Sequence, residues 1–259
     1  GHLGGANTLA KVIAKKLKAT EVITTATDLA GLPCIEDIAI KFSLQIETKA
    51  MIKKINSAIL RGELITVIDS NQKRRLAMKA DKKLKKAFIF KSKITKAPTD
   101  PLVVVSPERD ASEEKAYKNH RELLYLRPKE FVVGIGCRRG VLIKEVKEAY
   151  ASVLAKANIS PLSIRNLSSI DIKADERGLI GFAKKEGLEI DFIKAKELKK
   201  IKPPSGTSKS VKRLVGVPGV AEPSALISAG TKKEKAKIWI KKQKFKRVTI
   251  ALARVPYTS

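Results

Sequence analysis

The sequence predicts a layered α/β protein with mixed or mostly parallel sheets and flanking helices. Short apolar runs typical of buried strands alternate with segments whose apolar residues recur at the helical period. This alternation favours strands joined by crossover helices. Hydrophobic residues make up 43% of the 259 residues, which is enough for a packed core, and the length favours two domains. No apolar run reaches the roughly 18–20 residues of a membrane-spanning helix.

Three helices and four strands are predicted in the first half of the chain. Leu9, Val12, Ile13 and Leu17 fall on one face of the first helix. The predicted helices cover 8–18, 35–44 and 49–61, and the predicted strands cover 21–25, 64–69, 87–90 and 102–106. Residues 107–128 are polar and charged, and we place the main boundary at their end.

Strands and helices alternate more regularly in the second half. An apolar strand at 131–136 runs into glycines and is followed by an amphipathic helix at 142–157. We then predict a short strand or loop at 169–173, a helix at 175–186, a strand at 188–193, a loop at 202–210, a helix beginning near Glu222 and a last strand at 247–255.

The charge of the chain favours an anionic partner. There are 54 Lys and Arg residues against 26 Asp and Glu residues, a formal net charge of +28. Residues 71–100 hold eleven cationic and two acidic side chains, and residues 232–247 hold nine and one. A nucleic acid, an acidic membrane surface and a polyanionic small molecule are the partner classes, and a plain solvated surface is the ordinary alternative. Only 13 cations are arginine and 5% of residues are aromatic, so nucleic acid is the less favoured partner.

Cysteine and histidine usage argues against a disulfide framework and against a metal site. Cys34 and Cys137 lie far apart in sequence, and His2 and His120 form no ligand pattern with them. We therefore expect no bound metal, reduced thiols and a cytoplasmic location.

Glycines precede the first predicted helix in GHLGGAN. Gly4 and Gly5 could present backbone N–H groups to an anion, with Asn7 beside them, and His2 could exchange protons near neutral pH. A tight turn capped by Asn7 or Thr8 is an equally good interpretation.

The segment TTATD begins at the end of the predicted strand 21–25. It offers Thr24 and Thr25 at the end of that strand and Asp28 beyond it. Since α/β sheets bind ligands beyond the carboxyl ends of their strands, these three residues are candidate substrate contacts.

The segment VVGIGCRRG runs from a strand through glycines. Gly134, Gly136 and Gly140 are spaced one residue too widely for a dinucleotide-binding fingerprint. We place Arg138 and Arg139 at a helix start, where they could grip carboxylates or phosphates bidentately. A glycine turn with solvent-facing arginines is the alternative.

Cys137 in the same segment is a candidate nucleophile. A helix N-terminus and two arginines would lower the pKa of its thiol. No His–acid pattern stands nearby in the sequence, which argues against that role.

Carboxylates in two further segments could act as acids or bases. In SIDIKADERGL, Asp171 and Glu176 lie close to Lys173 in sequence, and a helix-start capping arrangement with ordinary ion pairs is the alternative. In GVPGVAEPSAL, Gly219 helps to form a turn and Glu222 stands at a helix start. Glu222 is either a general base or a carboxylate placed there by the helix dipole.

Taken together, GHLGGAN, VITTATDLAGLP, GIGCRRG, SIDIKADERGL and GVPGVAEPSAL occur in the order seen in the cobalt-precorrin-5A hydrolase (CbiG) family. The resemblance covers nearly the whole chain and is strongest from Val132 to Val255. It implies a role in anaerobic cobalamin biosynthesis, in which the δ-lactone of cobalt-precorrin-5A is opened, acetaldehyde is released and cobalt-precorrin-5B is formed. The implied cobalt belongs to the substrate, so no cofactor of the protein is expected.

The resemblance also shapes the expected domains. Residues 1–44 are expected to be the remainder of an N-terminal α/β domain, incomplete here, that leaves a strand edge or an apolar face exposed. Residues 45–128 correspond to the variable middle region of the family, and residues 129–259 form a C-terminal α/β domain.

The implied substrate fits the charge, because a corrinoid intermediate carries many carboxylates and a basic cleft would attract it. Glu222, Glu176, Asp171 and His2 are the candidate bases, and the glycine turns could supply oxyanion donors. Other enzymes of the pathway are a second class of implied partner. A non-catalytic corrinoid-binding homologue and a Lys-rich nucleic-acid-binding protein remain the alternative functions.

Overall fold

A computed structural model of the chain describes residues 5–19, 26–94, 101–109, 122–231 and 234–257. The chain forms two compact units, the first comprising mainly Gly1–Ser106 and Ala111–Pro128, the second Pro107–Asp110 and Lys129–Thr258. Both units are α/β, as predicted, and each contains a five-stranded mixed sheet. None of the described helices is long and apolar enough to cross a bilayer.

The first unit is built on parallel strands. Its described helices and strands are α1 (Gly5–Leu17), α2 (Ala26–Leu29), α3 (Ile35–Lys41), β1 (Leu44–Ile46), α4 (Ile52–Leu60), β2 (Ile65–Asp69), α5 (Gln72–Ala80), β3 (Phe88–Lys91), β4 (Leu102–Val105) and β5 (Leu123–Pro128). The sheet order is β1-β5-β4-β2-β3, and all neighbours run parallel except β1 against β5. Every residue of β2 and of β4 is buried, as the apolar runs predicted.

Two expectations for the first unit are corrected, and a third lies outside the described residues. Helix α1 spans Gly5–Leu17, so Asn7 and Thr8 lie within it and not before its first residue. The helix predicted at 35–44 ends at Lys41, because the chain turns at Ser43, whose φ is 52°, before β1. Strand β5 was not predicted, because its few apolar residues lie at the end of the polar and charged segment 107–128. The predicted strand at 21–25 lies outside the described residues.

The second unit has helices on both faces of its sheet. Its helices and strands are β6 (Phe131–Cys137), α6 (Ile143–Ala157), β7 (Ile164–Ile170), α7 (Arg177–Glu186), β8 (Ile190–Ile193), α8 (Ala195–Leu198), α9 (Lys209–Val215), α10 (Ala221–Ala229), β9 (Lys237–Lys244) and β10 (Val248–Arg254). The sheet order is β8-β7-β6-β10-β9. Strands β6, β7 and β8 are parallel, and β10 runs antiparallel to both β6 and β9.

The alternation of β6 separates the two layers. Val133 and Ile135 pack in one buried cluster with Val146 of α6 and Phe182 of α7. Val132 packs in another cluster on the α10 side. Each face of the central strand therefore has its own core, as expected for a sheet covered on both sides.

Strand β9 was not predicted, because its sequence KIWIKKQK lies within the Lys-rich stretch 232–247. It is the edge strand, and its pairing with β10 shifts register twice, between Ile250 and Leu252 and again before Ala253. Lysines and bulges on an edge strand discourage pairing with other chains. The charged run is therefore part of the sheet as well as of the surface.

Candidate active site

The candidate site lies where strands β6 and β7 end. Two loops follow these strands, residues 138–142 after β6 and residues 171–176 after β7. The parallel half of the sheet meets its antiparallel half at β6, which has β7 on one side and β10 on the other. Open α/β sheets bind ligands beyond the carboxyl ends of their strands, near such a change in strand order.

A buried carboxylate joins the two loops. Glu176, the residue before α7, accepts the Gly140 backbone N–H at 2.9 Å through Oε1 and the Lys173 ammonium at 3.1 Å through Oε2. The side chains of Lys173 and Glu176 are 9% and 4% exposed. A pair this deeply buried is held by geometry and hydrogen bonds, so Glu176 is fully engaged in fixing the loops.

Arg139 joins the same loops at the surface. Its guanidinium forms an ion pair with Asp175 and donates to the Ile172 carbonyl at 2.9 Å. The placement of Arg138 and Arg139 at a helix start is wrong, because α6 begins only at Ile143. Arg139 therefore fixes the loops rather than extending freely from a helix end.

Arg138 differs from its neighbour. Its backbone N–H donates to the Arg247 carbonyl at 3.0 Å, which fixes the main chain. Its exposed guanidinium makes no ion pair or hydrogen bond with the residues the structure describes. Arg138 is therefore a positioned cation that remains available to an anionic ligand.

The thiol of Cys137 is not activated. Burial raises its pKa to about 11, and the nearby Glu176 carboxylate adds to the rise, against the opposing effect of Lys173, Arg139 and Arg247. The expectation of a lowered thiol pKa is therefore wrong, because desolvation outweighs the three cations. At neutral pH the Cys137 side chain is a neutral thiol.

The glycines of β6 serve close packing. A Cβ at Gly134 would lie 1.9 Å from the Ala221 carbonyl oxygen, so α10 can approach the sheet only over a glycine. A Cβ at Gly136 would contact Val220 at 3.5 Å, an ordinary distance. The N–H of Gly140 donates to Glu176, so it is not an oxyanion donor in this structure.

Glu222 lies in the first turn of α10 and is 1% exposed. Its carboxylate accepts the Ser205 backbone N–H at 3.0 Å, the Ser205 hydroxyl at 2.6 Å and the Lys242 backbone N–H at 3.0 Å. Both oxygens are therefore occupied in holding the loop around Ser205 and strand β9 against α10. Gly219, just before this helix, lies close to the Pro203 side chain of the same loop.

Asp171 is the least committed of the candidate carboxylates. It follows β7 directly and is partly exposed. Its Oδ1 accepts the Ile172 backbone N–H at 2.9 Å. Its Oδ2 accepts no hydrogen bond from the described part of the chain. One oxygen of Asp171 is therefore available to water or to a ligand.

The remaining candidates belong to the N-terminal part of the chain. His2, Gly4, Thr24 and Thr25 lie outside the described residues. Three others belong to helices of the first unit, where Gly5 begins α1, Asn7 lies within it and Asp28 lies in α2. Among the described residues, no group of three His, Cys, Asp or Glu side chains could hold a metal ion.

Arg247 is a site residue that the sequence reasoning missed. Its guanidinium donates to the Arg139 carbonyl and lies 3.6 Å from Glu145 Oε2. Its position is set by the antiparallel pairing of β10 with β6, in which Val248 lies opposite Cys137. Pairing the predicted last strand with the strand at 131–136 would have placed Arg247 next to the loop that follows β6.

Three family models match consecutive parts of the chain. The model described as Cobalamin synthesis G N-terminal matches residues 1–28, the Cobalamin biosynthesis central region matches residues 33–128, and Cobalamin synthesis G C-terminus matches residues 131–253. The last of these contains both loops of the candidate site.

The chain is also similar to curated proteins along most of its length. It is 29% identical to a cobalt-precorrin-5A hydrolase of Priestia megaterium, over 99% of this chain and 67% of the relative. It is 28% identical to the cobalt-precorrin-5A hydrolase of Salmonella typhimurium, over 89% of this chain and 64% of the relative. The chain thus spans about two thirds of the length of these relatives.

Two solved structures resemble the chain. CobE, a protein of the cobalamin biosynthetic pathway, is 28% identical over 50% of this chain and 93% of its own, with a TM-score of 0.45. A cobalamin biosynthesis protein G homologue from Sulfolobus solfataricus is 23% identical over 97% of this chain and 68% of its own, with a TM-score of 0.40.

Proposed function

Because the chain belongs to the CbiG family of cobalamin biosynthesis proteins, we propose that it catalyses the reaction for which its curated relatives are named. That reaction is hydrolysis of cobalt-precorrin-5A, with opening of its δ-lactone and release of acetaldehyde to give cobalt-precorrin-5B. The observation that carries this proposal is Asp171, which keeps one carboxylate oxygen available at the end of β7.

Asp171 takes the role of general base in this proposal. Lactone opening needs a water molecule that loses a proton as its oxygen attacks the carbonyl carbon, and a carboxylate with an open oxygen can accept that proton. Glu176 and Glu222 have both oxygens engaged by donors of the protein. They suit the task of holding loops better than that of exchanging protons.

Arg138 supplies the positive charge that stabilises the transition state in this proposal. Attack on the carbonyl carbon places negative charge on its oxygen, and a positioned cation stabilises that charge in the transition state. The guanidinium of Arg138 has no partner among the described residues, and its main chain is fixed by the Arg247 carbonyl. Collapse of the intermediate breaks the ring ester bond and leaves a carboxylate and an alcohol. Release of acetaldehyde then requires the alcohol to lose its proton as the carbon–carbon bond to the macrocycle breaks, and the electron pair left on the macrocycle takes up a proton.

We propose no cofactor beyond the cobalt that the substrate carries, and we propose a cytoplasmic site of action. Two free cysteines support the latter, because reduced thiols are usual in that compartment. The polyanionic corrinoid is the proposed partner, supported by the net charge of +28.

The test is incubation of the purified chain with cobalt-precorrin-5A. Acetaldehyde is measured with a coupled alcohol dehydrogenase, and the corrinoid product is measured by mass spectrometry. We expect Asp171→Asn to lower turnover by at least about a hundredfold with an unchanged melting temperature. The matched control is Glu189→Gln, an exposed carboxylate at the opposite end of the sheet, before β8.

Three outcomes contradict parts of the proposal. Normal turnover by Asp171→Asn would show that Asp171 is not the general base and would leave Glu176 and Glu222 as the candidates. Corrinoid binding without acetaldehyde release would identify a non-catalytic corrinoid-binding homologue. Binding of random duplex DNA with a steep salt dependence, and no corrinoid binding, would identify a nucleic-acid-binding protein.

A further inference from the structure

A row of residues crosses three strands at the edge of the sheet that holds the candidate site. Gly136 of β6 lies opposite Thr249 of β10, and Thr249 lies opposite Lys244 of β9. Residues directly opposite each other in antiparallel strands share a face of the sheet. Lys244 is therefore on the same face as Gly136, about 10 Å away across two strand spacings.

This face is the one covered by α10. The position of a Cβ on Gly136 would meet the Val220 side chain, which directly precedes α10. Toward β9 the row passes from a glycine through a threonine to an exposed lysine. It thus leads from the end of β6 to the turn that joins β9 to β10.

That turn is a tight hairpin rich in cations. The Phe245 backbone N–H donates to the Val248 carbonyl at 2.8 Å, which closes the turn. Lys244 and Lys246 are exposed, and the ammonium group of neither makes an ion pair or hydrogen bond with the described residues. Arg247 differs, because it is engaged with Glu145 and with the Arg139 carbonyl.

The hairpin lies beside Arg138. The Arg138 backbone N–H donates to the Arg247 carbonyl, one residue after Lys246. Lys244 and Lys246, here called the edge cations, thus lie in the hairpin next to Arg138 and have no described acidic partner. Like charges on neighbouring residues repel, so such a pair is stabilised when an anion binds to it.

We propose that the edge cations bind the peripheral carboxylates of the corrinoid and so determine selectivity for a corrinoid with free acid side chains. This inference rests on the proposed function and adds the residues that bind the carboxylates at the edge of the substrate's ring. A rigid ring with carboxylates spread around its edge suits cations that are themselves spaced along a sheet edge. The sheet fixes where the backbone of Lys244 lies, and the flexible lysine stem lets its ammonium adjust.

The test compares two corrinoids and three proteins. The ligands are cobyrinic acid, whose side chains are free carboxylic acids, and cobinamide, whose side chains are amides. The proteins are the wild-type chain, the double variant Lys244→Gln/Lys246→Gln, and the control Lys235→Gln/Lys237→Gln. The control removes the same charge at the other end of β9, where Lys235 and Lys237 are exposed.

We expect the wild-type chain to bind cobyrinic acid more tightly than cobinamide in absorbance titrations at low salt. The Lys244→Gln/Lys246→Gln variant should raise the Kd for cobyrinic acid by roughly three- to thirtyfold, the value of two exposed ion pairs. Its Kd for cobinamide should stay unchanged. The control should change either Kd by less than about twofold, since its charges lie far from the candidate site.

Equal losses in the two double variants would overturn the inference, because the attraction would then depend on net charge alone. An unchanged Kd for cobyrinic acid in Lys244→Gln/Lys246→Gln would overturn it as well. Failure of the wild-type chain to bind either corrinoid would instead overturn the proposed function. The two proposals therefore fail in distinguishable ways.

Discussion

The Ser205 hydroxyl donates to Glu222 Oε1 at 2.6 Å, and the Ser205 backbone N–H donates to Oε2 at 3.0 Å. The two residues lie 17 positions apart in sequence, so this contact connects the loop between α8 and α9 to the start of α10. The Lys242 backbone N–H donates to the same carboxylate, in the stretch where β9 departs from regular pairing with β10. One buried carboxylate thus joins a loop, an edge strand and a helix.

We predict that Glu222→Gln destabilises the second unit. An amide keeps one acceptor oxygen and replaces the other by a donor, so a buried N–H loses its partner at a cost of about 1–3 kcal/mol. Thermal unfolding followed by circular dichroism should show a melting temperature several degrees lower. Glu148→Gln, an exposed change on α6, is the control and should leave the melting temperature unchanged. A Glu222→Gln melt that matches the control would show that this carboxylate does not hold the fold.

We predict that breaking the Lys173–Glu176 pair costs more than removing it. Lys173→Met leaves a buried carboxylate without its cation and should lower the free energy of unfolding by about 3–5 kcal/mol. The double variant Lys173→Met/Glu176→Gln removes both charges and should recover part of that loss. Urea denaturation of the two variants measures the difference. Equal losses would show that the charge of Glu176 is compensated without Lys173.

We predict opposite outcomes for two alanine substitutions in β6. Gly134→Ala places a Cβ against the Ala221 carbonyl and should cost about 1–3 kcal/mol or more as α10 is displaced. Gly136→Ala places a Cβ in ordinary van der Waals contact with Val220 and should leave the free energy of unfolding unchanged or raise it by up to about 1 kcal/mol. Urea denaturation distinguishes them. A well-folded Gly134→Ala protein would mean that α10 is not packed as tightly as described.

We predict that Cys137→Ser folds and keeps substantial turnover, because a neutral thiol is a poor nucleophile. The pKa of this thiol rises from its ordinary 9.0 to about 11 in the folded chain. The folded chain then keeps a proton that the unfolded chain releases, so the stability from this group is complete below pH 9.0 and is lost between there and about pH 11. The urea midpoint should fall more steeply across that window in the wild type than in Cys137→Ser. Loss of turnover with an intact fold would support a covalent mechanism.

The fold was largely predictable, because a parallel strand that is buried on both faces consists of consecutive apolar residues. Strands β2, β4 and β6 follow that rule. Strand β9 does not, because it lies at the sheet edge and three of its four exposed positions are lysines. Charge composition therefore masked a strand whose existence depends on pairing with β10.

The candidate site was only partly predictable. The segments around Gly134 and Asp171 were identified, but sequence spacing does not show which oxygen of a carboxylate is already engaged. The partners of Glu176 and Glu222 come from loops distant in sequence, Gly140 in one case and Ser205 in the other. Such tertiary contacts separate a residue that holds a loop from one available for chemistry.

The order of strands in the second sheet has a consequence for synthesis of the chain. Strand β6 is central, yet the partner on one of its edges is β10, which the ribosome makes after the other strands that the structure describes. Until Val248–Arg254 emerges, one edge of an apolar strand remains unpaired on the nascent polypeptide. Non-local pairing of this kind slows folding and exposes an aggregation-prone edge. The second unit should therefore depend on chaperone protection until β10 closes its sheet.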